Sequence, residues 1–145
     1  MISVIIPIYN AEKYIKKVLS NLQNQRYKDF EVLLINDGSS DCSGNICEEF
    51  ALKDERFKVI HQQNAGVSSA RNKGIAAASG NYITFIDADD EIPENYLEEL
   101  IRIQKETDAD IIICDVAIIE NGKEKNRFTH IEGVVEQQKA LNLLL

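Results

Sequence analysis

The chain has 145 residues, of which 44% are hydrophobic and 28% charged, and its formal net charge is -8. This length and composition are typical of a folded domain and exclude a disordered chain. The negative charge argues against DNA, RNA or an anionic membrane surface as a direct partner. An acidic protein that binds a phosphorylated ligand must neutralise it locally, and a divalent cation held by carboxylates does so.

Cysteine usage points to a reducing compartment, and histidine usage argues against a zinc site. The three cysteines, Cys42, Cys47 and Cys114, form no CxxC pair, and an odd count predicts free thiols. The two histidines are too few for a zinc site. No apolar run reaches transmembrane length and no signal peptide is recognisable, so we expect a cytoplasmic chain.

The first half of the chain alternates strand and helix. Continuous apolar runs, typical of strands buried on both faces of a parallel sheet, predict strands at 3–9 and 31–35. Between them lies a helical pattern whose apolar face contains Tyr14, Ile15, Val18, Leu19 and Leu22. A polar turn then leads into a helix capped by Asp41. That helix has an apolar stripe formed by Ile46, Cys47, Phe50 and Ala51.

The second half continues the alternation. It predicts strands at 57–60, 82–86 and 111–114, and helices at 67–78 and from Pro93 onward. The helix at 67–78 has a packing face of small residues, namely Val67, Ala70, Gly74 and Ala77. The helix from Pro93 turns Leu97, Leu100 and Ile101 inward. Asn121-Gly122 predicts a hairpin turn, and 134–145 a helix without a polar stop. We therefore expect an α/β domain with a mostly parallel sheet.

Polar clusters follow three of the predicted strands. They are Tyr9-Asn10, Asp37 to Asp41, and Asp87 to Asp90. Ligands of open α/β sheets bind outside the carboxyl ends of the strands, so the clusters are expected to converge there. For Asp41 we prefer the role of helix cap.

The Asp87-Ala88-Asp89-Asp90 motif is the strongest candidate site. Three carboxylates in four residues repel one another unless a cation joins them, and oxygen ligands on a short loop suit Mg²⁺ or Mn²⁺. The alternative is a solvated acidic start of a helix, which accounts for Asp90 and Glu91. It does not account for Asp87, which directly follows an apolar strand.

The segment from Asn64 to Gly74 places a glycine-containing turn and hydroxyl groups at the start of a helix. Its backbone N–H groups could receive an anion, and Arg71 could contact a phosphate or a base. A surface ion pair is an equally good interpretation of Arg71.

These motifs, in this order, resemble the family 2 glycosyltransferases with the GT-A fold. The residues that carry the resemblance are Val4-Ile5-Ile6-Pro7-Ile8-Tyr9-Asn10, Asn36-Asp37-Gly38-Ser39-Ser40-Asp41, Asn64 to Gly74, and Phe85-Ile86-Asp87-Ala88-Asp89-Asp90. Together they cover roughly residues 2–115. The resemblance implies a Rossmann-like three-layer α/β/α sandwich.

The resemblance also implies a role for each matching residue. Pro7 to Tyr9 would line the base pocket, with Tyr9 near the uracil ring, and Asp37 would accept a hydrogen bond from uracil. Arg71 would contact the base or stabilise the nucleotide. Asp87 would bind the ribose or diphosphate side, and Asp89 would ligate the Mn²⁺ or Mg²⁺ that bridges the diphosphate oxygens.

The implied reaction is an inverting transfer of sugar from a nucleoside-diphosphate sugar, UDP-linked, to the hydroxyl of a glycan or lipid-linked acceptor. The family's usual context is the assembly of bacterial surface polysaccharide, lipopolysaccharide or glycolipid, and the sequence does not select among them. The resemblance is compatible with a cytoplasmic protein peripheral to the inner face of the membrane. Residues 1–115 would form the nucleotide-sugar core, and 116–145 a hairpin and the start of the acceptor side. The general base is expected beyond this chain, because Glu132 and Glu136 carry no recognisable motif.

Three other functions are compatible with parts of this pattern. A dinucleotide-binding oxidoreductase would need glycines after the first strand, where Tyr9-Asn10-Ala11-Glu12 stands. An aspartate-nucleophile phosphatase would place its motif near the start of the domain and a Thr where Glu91 stands. The third alternative is a donor-binding module that holds nucleotide and metal without catalysis.

Overall fold

The computed structural model describes residues 1–114, 117–120, 123–126 and 133. The chain divides into two compact units, Met1–Glu98 and Glu99–Leu145.

The first unit is built on a four-stranded parallel sheet. Its strands are β1 (Ile2–Ile8), β2 (Phe30–Asp37), β3 (Phe57–Gln62) and β4 (Tyr82–Phe85), in the spatial order β3-β2-β1-β4. β1 and β2 lie in the centre and are the two most continuous apolar runs, and every residue of β2 is buried. The parallel α/β architecture predicted from the apolar runs is confirmed.

Four helices accompany the strands: α1 (Ile15–Gln23), α2 (Ser43–Ala51), α3 (Val67–Ala77) and α4 (Tyr96–Thr107). Gly74 of α3 approaches Ile5, whose register partner is Leu33, whereas Gly44 of α2 approaches Asn36. Side chains of a strand alternate between the two faces of a sheet, so Leu33 and Asn36 point to opposite sides. α2 and α3 therefore cover different faces, which gives the three layers that were expected.

The small-residue face of α3 is narrower than predicted. Ala70 is buried with Ile5, Leu33 and Ile35, and Gly74 lies so close that an added Cβ would be 2.3 Å from Ile5 Cγ2. The two other predicted members of that face, Val67 and Ala77, are exposed. The close approach is therefore confined to the middle of the helix. Tyr14 was likewise predicted to face inward on α1 and is 56% exposed.

β4 is the edge strand of the sheet that the described residues form, and it is not buried as predicted. Ile83 and Phe85 are each 43% exposed. The strand ends at Phe85, although the Ile86 N–H still donates to the Ile5 carbonyl at 3.2 Å.

α4 begins one turn later than the sequence predicted. Pro93 is not its first residue; it precedes the helix, and its carbonyl accepts a hydrogen bond from the Tyr96 N–H at 3.1 Å. The buried Gln25, just after α1, fixes this start. Its Nε2 donates to the Pro93 carbonyl at 2.6 Å, and its Oε1 accepts from the Leu97 N–H at 3.0 Å.

In the second unit, the strand predicted at 111–114 is absent. These residues have no regular secondary structure, and Ile111 and Ile113 are largely exposed. Instead, β5 (Ala117–Glu120) pairs antiparallel with β6 (Lys123–Asn126). The predicted turn at Asn121-Gly122 and the predicted helix at 134–145 lie outside the described residues. Within the described part of the chain, no helix has the length and apolar character needed to cross a membrane.

Candidate functional site

Two adjoining pockets open at the carboxyl edge of the parallel sheet. The first has a volume of about 260 Å³ and the second about 460 Å³. Pro7, Tyr9 and Val67 line both pockets, so the two form one continuous cleft. Asp37 lines only the first pocket. The second is lined by Arg71, Asp87 and Asp89, so the cleft brings together all six site residues predicted from the sequence.

Asp37 is a buried carboxylate with fixed partners. Its Oδ1 accepts hydrogen bonds from Gln62 Nε2 at 2.7 Å and the Ala65 N–H at 2.8 Å, and its Oδ2 accepts from the Gly66 N–H at 2.8 Å. The bond from Gln62 is the main cause that holds the pKa of Asp37 below its ordinary value; burial opposes it, and the two backbone bonds add to it. Asp37 therefore stays ionised, and Oδ2 keeps capacity for another donor.

The same contacts correct the expectation for the turn before α3. Its N–H groups were considered as a receptor for a ligand anion. In the structure, the N–H groups of Ala65 and Gly66 already bind the carboxylate of Asp37. An internal anion thus occupies this turn, and what the turn contributes to the cleft is the position of Asp37.

Gln62 is a site residue that the sequence analysis missed. It is the last residue of β3, and in the parallel register it is the partner of Asp37, the last residue of β2. If the third strand had been predicted to end at residue 62 and not at residue 60, the amide of Gln62 would have been placed beside the carboxylate of Asp37.

Tyr9 stands where the two pockets meet. Its side chain is 55% exposed, and it follows directly on the buried end of β1. An aromatic ring of this kind offers an apolar face at the mouth of a cleft.

Arg71 and Asp87 form an ion pair, with Arg71 Nη2 2.8 Å from Asp87 Oδ1. The guanidinium carbon also lies 5.9 Å from the centre of the Phe85 ring. Both side chains are partly exposed, so the pair alone contributes little to stability. Arg71 Nε is buried and has no hydrogen-bond partner among the described residues, which leaves it a donor without an acceptor.

The three carboxylates of the acidic motif have separate environments. Asp87 pairs with Arg71, and Asp90 Oδ2 accepts a hydrogen bond from the Asp87 N–H at 2.9 Å. The Asp90 N–H in turn donates to the Asp87 carbonyl at 3.0 Å, which closes a tight turn. Repulsion is thus relieved at Asp87 and Asp90 without a cation. Asp89 remains exposed at the second pocket, and it is the acid best placed to meet a ligand.

The donor set fits a cation that is shared with a ligand and does not fit a closed metal site. Among residues 1–114, 117–120, 123–126 and 133, no group of three or more His, Cys, Asp or Glu side chains is arranged to hold a metal ion. Mg²⁺ and similar hard cations are commonly bound by one or two carboxylates, with water and substrate phosphate in the remaining positions. Asp89 meets that requirement.

Comparison with known proteins decides the family. The model of the family described as Glycosyl transferase family 2 matches residues 3–143. The chain belongs to glycosyl transferase family 2. The resemblance seen in the four sequence motifs is therefore confirmed.

Curated glycosyltransferases are similar over most of this chain. Glycosyltransferase GlyA of Streptococcus pneumoniae is 48% identical over 77% of the chain and 16% of GlyA. The putative glycosyltransferase EpsH of Bacillus subtilis is 46% identical over 80% of the chain and 33% of EpsH. The chain thus spans a third or less of the length of these two relatives.

Solved structures support the GT-A fold. A crystal structure of S. aureus TarS 1–349 in complex with UDP-GlcNAc has a TM-score of 0.71 and 34% identity, covering 75% of this chain and 32% of the TarS 1–349 chain. The mannosyltransferase PcManGT from Pyrobaculum calidifontis, in complex with GDP-Man and Mn²⁺, has a TM-score of 0.64 at 23% identity, covering 71% of this chain and 32% of PcManGT. The second likeness concerns the fold alone.

Proposed function

We propose that the cleft binds a nucleoside-diphosphate sugar, with uracil in the first pocket and the diphosphate in the second. The observation that carries the proposal is the buried, ionised Asp37 beside Tyr9, in a pocket continuous with one that holds Arg71, Asp87 and Asp89. The imide N–H of uracil is a hydrogen-bond donor, and Asp37 Oδ2 can accept one more hydrogen bond. The complex of UDP-GlcNAc with TarS, which is 34% identical to this chain, supports the choice of uridine.

In this proposal Asp89 holds Mn²⁺ or Mg²⁺ together with the diphosphate oxygens. When bound, the cation acts as a Lewis acid that stabilises the negative charge of the departing diphosphate. Arg71 keeps Asp87 neutralised and oriented toward the ribose side of the cleft. Tyr9 covers one face of the base, and Pro7 lines both pockets.

We propose that the reaction is an inverting transfer of the sugar to an acceptor hydroxyl. The hydroxyl attacks the anomeric carbon on the face opposite the diphosphate, and a carboxylate accepts its proton. Residues 1–115 are the donor-binding core in this proposal, and 116–145 begin the acceptor side. Glu132 and Glu136, considered for the base, lie outside the described residues, and we place the base beyond this chain.

A second candidate is a donor-binding module without catalysis. The two candidates share the nucleotide site and differ in whether UDP is released from a UDP-sugar when an acceptor is present.

Titration calorimetry with UDP tests the shared part of the proposal. Titrations with Mn²⁺ and with a chelator measure the contribution of the metal to UDP affinity. Titrations with GDP in place of UDP measure the contribution of the base. We expect UDP to bind more tightly with Mn²⁺ and more tightly than GDP. A folded sample that gives no heat with UDP would refute the site, and equal affinities for UDP and GDP would refute the role of Asp37 toward uracil.

A further inference from the structure

Two loops at the carboxyl edge of the sheet are joined by side-chain hydrogen bonds. We use the name loop clasp for the contacts between residues 10–12, after β1, and residues 39–43, after β2. Six hydrogen bonds connect the two segments, and each has a side-chain atom on at least one side. Asn10 and Ala11 also line the second pocket, but the proposed function gives none of the loop-clasp residues a role in binding the base.

Asn10 is the centre of the loop clasp. Its N–H donates to Ser39 Oγ at 3.1 Å, and its Oδ1 accepts from the Ser40 N–H at 2.9 Å and from Ser40 Oγ at 3.3 Å. Its φ is +50°, in the left-handed region that few residues other than glycine adopt but that asparagine tolerates. The chain therefore turns sharply at the residue that follows Tyr9, and these hydrogen bonds hold the turn.

The rest of the loop clasp ties the starts of two helices together. The Glu12 N–H donates to Asp41 Oδ2 at 3.0 Å, and the Cys42 N–H donates to Glu12 Oε2 at 3.0 Å. This exchange resembles a capping box shared between two segments. The Ala11 N–H donates to the buried Ser43 Oγ at 2.8 Å. The loop before α1 thus lies in a fixed position on the loop before α2.

The loop clasp is also anchored in the sheet next to Asp37. Asn36 Oδ1 accepts a hydrogen bond from the Ser39 N–H at 3.0 Å, and its amide nitrogen lies 2.9 Å from His61 Nδ1. Asn36 directly precedes Asp37, and Asn10 directly follows Tyr9. One continuous set of hydrogen bonds therefore connects the backbone at Tyr9 with the backbone at Asp37.

We infer that Asn10 is a positioning residue, which through the loop clasp holds Tyr9 in place at the pocket that Tyr9 and Asp37 both line. The inference rests on the proposed function, since it concerns the same base pocket. Tyr9 itself is half exposed, so its position depends on the backbone that carries it. Asn10 acts through Tyr9 and need not touch the nucleotide.

The test is a double-mutant cycle of Asn10 with Tyr9, measured by UDP titration of the 145-residue chain. Asn10→Gly removes the acceptor Oδ1 but keeps a residue that adopts positive φ. Asn10→Asp keeps both the acceptor and the tolerance of positive φ, and it is the matched control. Hydrogen exchange at the Ser40 amide reports the state of the loop clasp without nucleotide, and thermal melting reports the fold.

We expect Asn10→Gly to accelerate exchange at Ser40 and to weaken UDP binding about three- to tenfold, the size of one or two lost hydrogen bonds. In a Tyr9→Ala background the same change should weaken UDP binding by less than about twofold, because residues that act through one another are not additive. Asn10→Asp should keep exchange at the Ser40 amide, and the affinity for uridine, which lacks the diphosphate, within about twofold of the parent.

Other outcomes overturn the inference. An equal loss of affinity in both backgrounds would show that Asn10 does not act through Tyr9. Unchanged UDP affinity in Asn10→Gly, with faster exchange at Ser40, would show that the loop clasp does not position the base. A parent chain that binds no UDP would refute the proposed function and this role with it, whereas a parent that binds UDP with an additive cycle refutes this role alone.

Discussion

Gln62 and Asp37 are partners in the register of β3 and β2, and Gln62 Nε2 donates to Asp37 Oδ1 at 2.7 Å. The contact lies at the carboxyl ends of two adjacent parallel strands. The sequence predicted Asp37 as a site residue but did not indicate Gln62. It is also the main cause of the low pKa of Asp37.

Replacement of Gln62 by Leu is expected to raise the pKa of Asp37. Burial then acts against the ionised form with only the two backbone N–H groups to oppose it. UDP affinity in the proposed site requires the ionised form, so it should begin to fall at a higher pH than in the parent as the solution is acidified. The carboxyl-carbon chemical shift of Asp37, followed across pH, measures the change directly.

Ser69→Ala is the matched control for Gln62→Leu. It removes the longer contact of 3.3 Å between Gln62 Nε2 and Ser69 Oγ and leaves the contact with Asp37 in place. We expect the titration of Asp37 in this variant to follow the parent. A parent-like titration in Gln62→Leu itself would show that Gln62 does not lower the pKa of Asp37.

Asp89→Asn should remove metal-dependent binding without disturbing the fold. Asp89 is exposed at the second pocket, whereas Asp87 and Asp90 are engaged with Arg71 and the turn. We expect UDP affinity in the presence of Mn²⁺ to fall at least about tenfold, the effect of losing one charge-assisted contact. Uridine, which lacks the diphosphate, should bind the variant as it binds the parent. A variant that retains the Mn²⁺ dependence of UDP binding would exclude Asp89 as the ligand.

Asp90→Ala is expected to act on the fold of the loop. Asp90 holds the Asp87 N–H, and its loss should lower the free energy of unfolding by about 1 kcal/mol. Urea denaturation gives the free energy of unfolding of Asp90→Ala and of Asp89→Asn, and only Asp90→Ala should differ from the parent. Equal stability of Asp90→Ala and the parent would contradict the division of roles among the three carboxylates.

Glu31 is expected to make stability depend on acidity. Burial by itself would raise its pKa, but hydrogen bonds from Lys58, Ser3 and Ser79 outweigh burial and lower the pKa to about 2, from an ordinary value of 4.5. A depressed carboxyl pKa contributes stability that is present above the unfolded-state value and is lost as the pH falls through the folded-state value. The contribution should therefore be full above about pH 4.5 and decline toward pH 2.

Glu31→Gln measures that contribution. At pH 7 the variant should be less stable than the parent by about 1–3 kcal/mol, since it weakens hydrogen bonds to a buried charge. Near pH 2 the difference should be smaller, because the parent's Glu31 is then partly protonated. Urea denaturation at both pH values gives the two free energies of unfolding. A difference that is the same at both pH values would contradict the assigned pKa.

Gly74→Ala is expected to destabilise the protein although alanine favours a helix. The gain in helix propensity is about 1 kcal/mol, but the new Cβ would lie 2.3 Å from Ile5 Cγ2. Overpacking of this kind costs about 1–3 kcal/mol, so a net loss of stability is expected. In an Ile5→Ala background, which removes the obstructing atom, the same change should be neutral or stabilising. A higher melting temperature of Gly74→Ala alone would contradict the close packing of α3 on β1.

Much of the fold followed from the sequence because burial in a parallel sheet imposes a continuous apolar run. β1 and β2 were located by such runs, and the polar clusters at their ends were expected at one edge. The sequence was less informative where packing is one-sided. The apolar residues of β4 suggested a buried strand, yet Ile83 and Phe85 lie on an edge strand and are partly exposed. The run at 111–114 has strand composition but no strand partner among the described residues.

The sequence by itself determined the family, the parallel α/β architecture and the candidate residues Tyr9, Asp37 and Asp87 to Asp90, because these depend on local patterns and their order. Only the tertiary structure decided what each carboxylate does. Asp37 binds the turn before α3, Asp87 pairs with Arg71, Asp90 closes its own turn, and Asp89 is exposed at the second pocket. The physical reason is that a carboxylate's role depends on which donors reach it, and donors such as Gln62 and Arg71 come from other strands and helices.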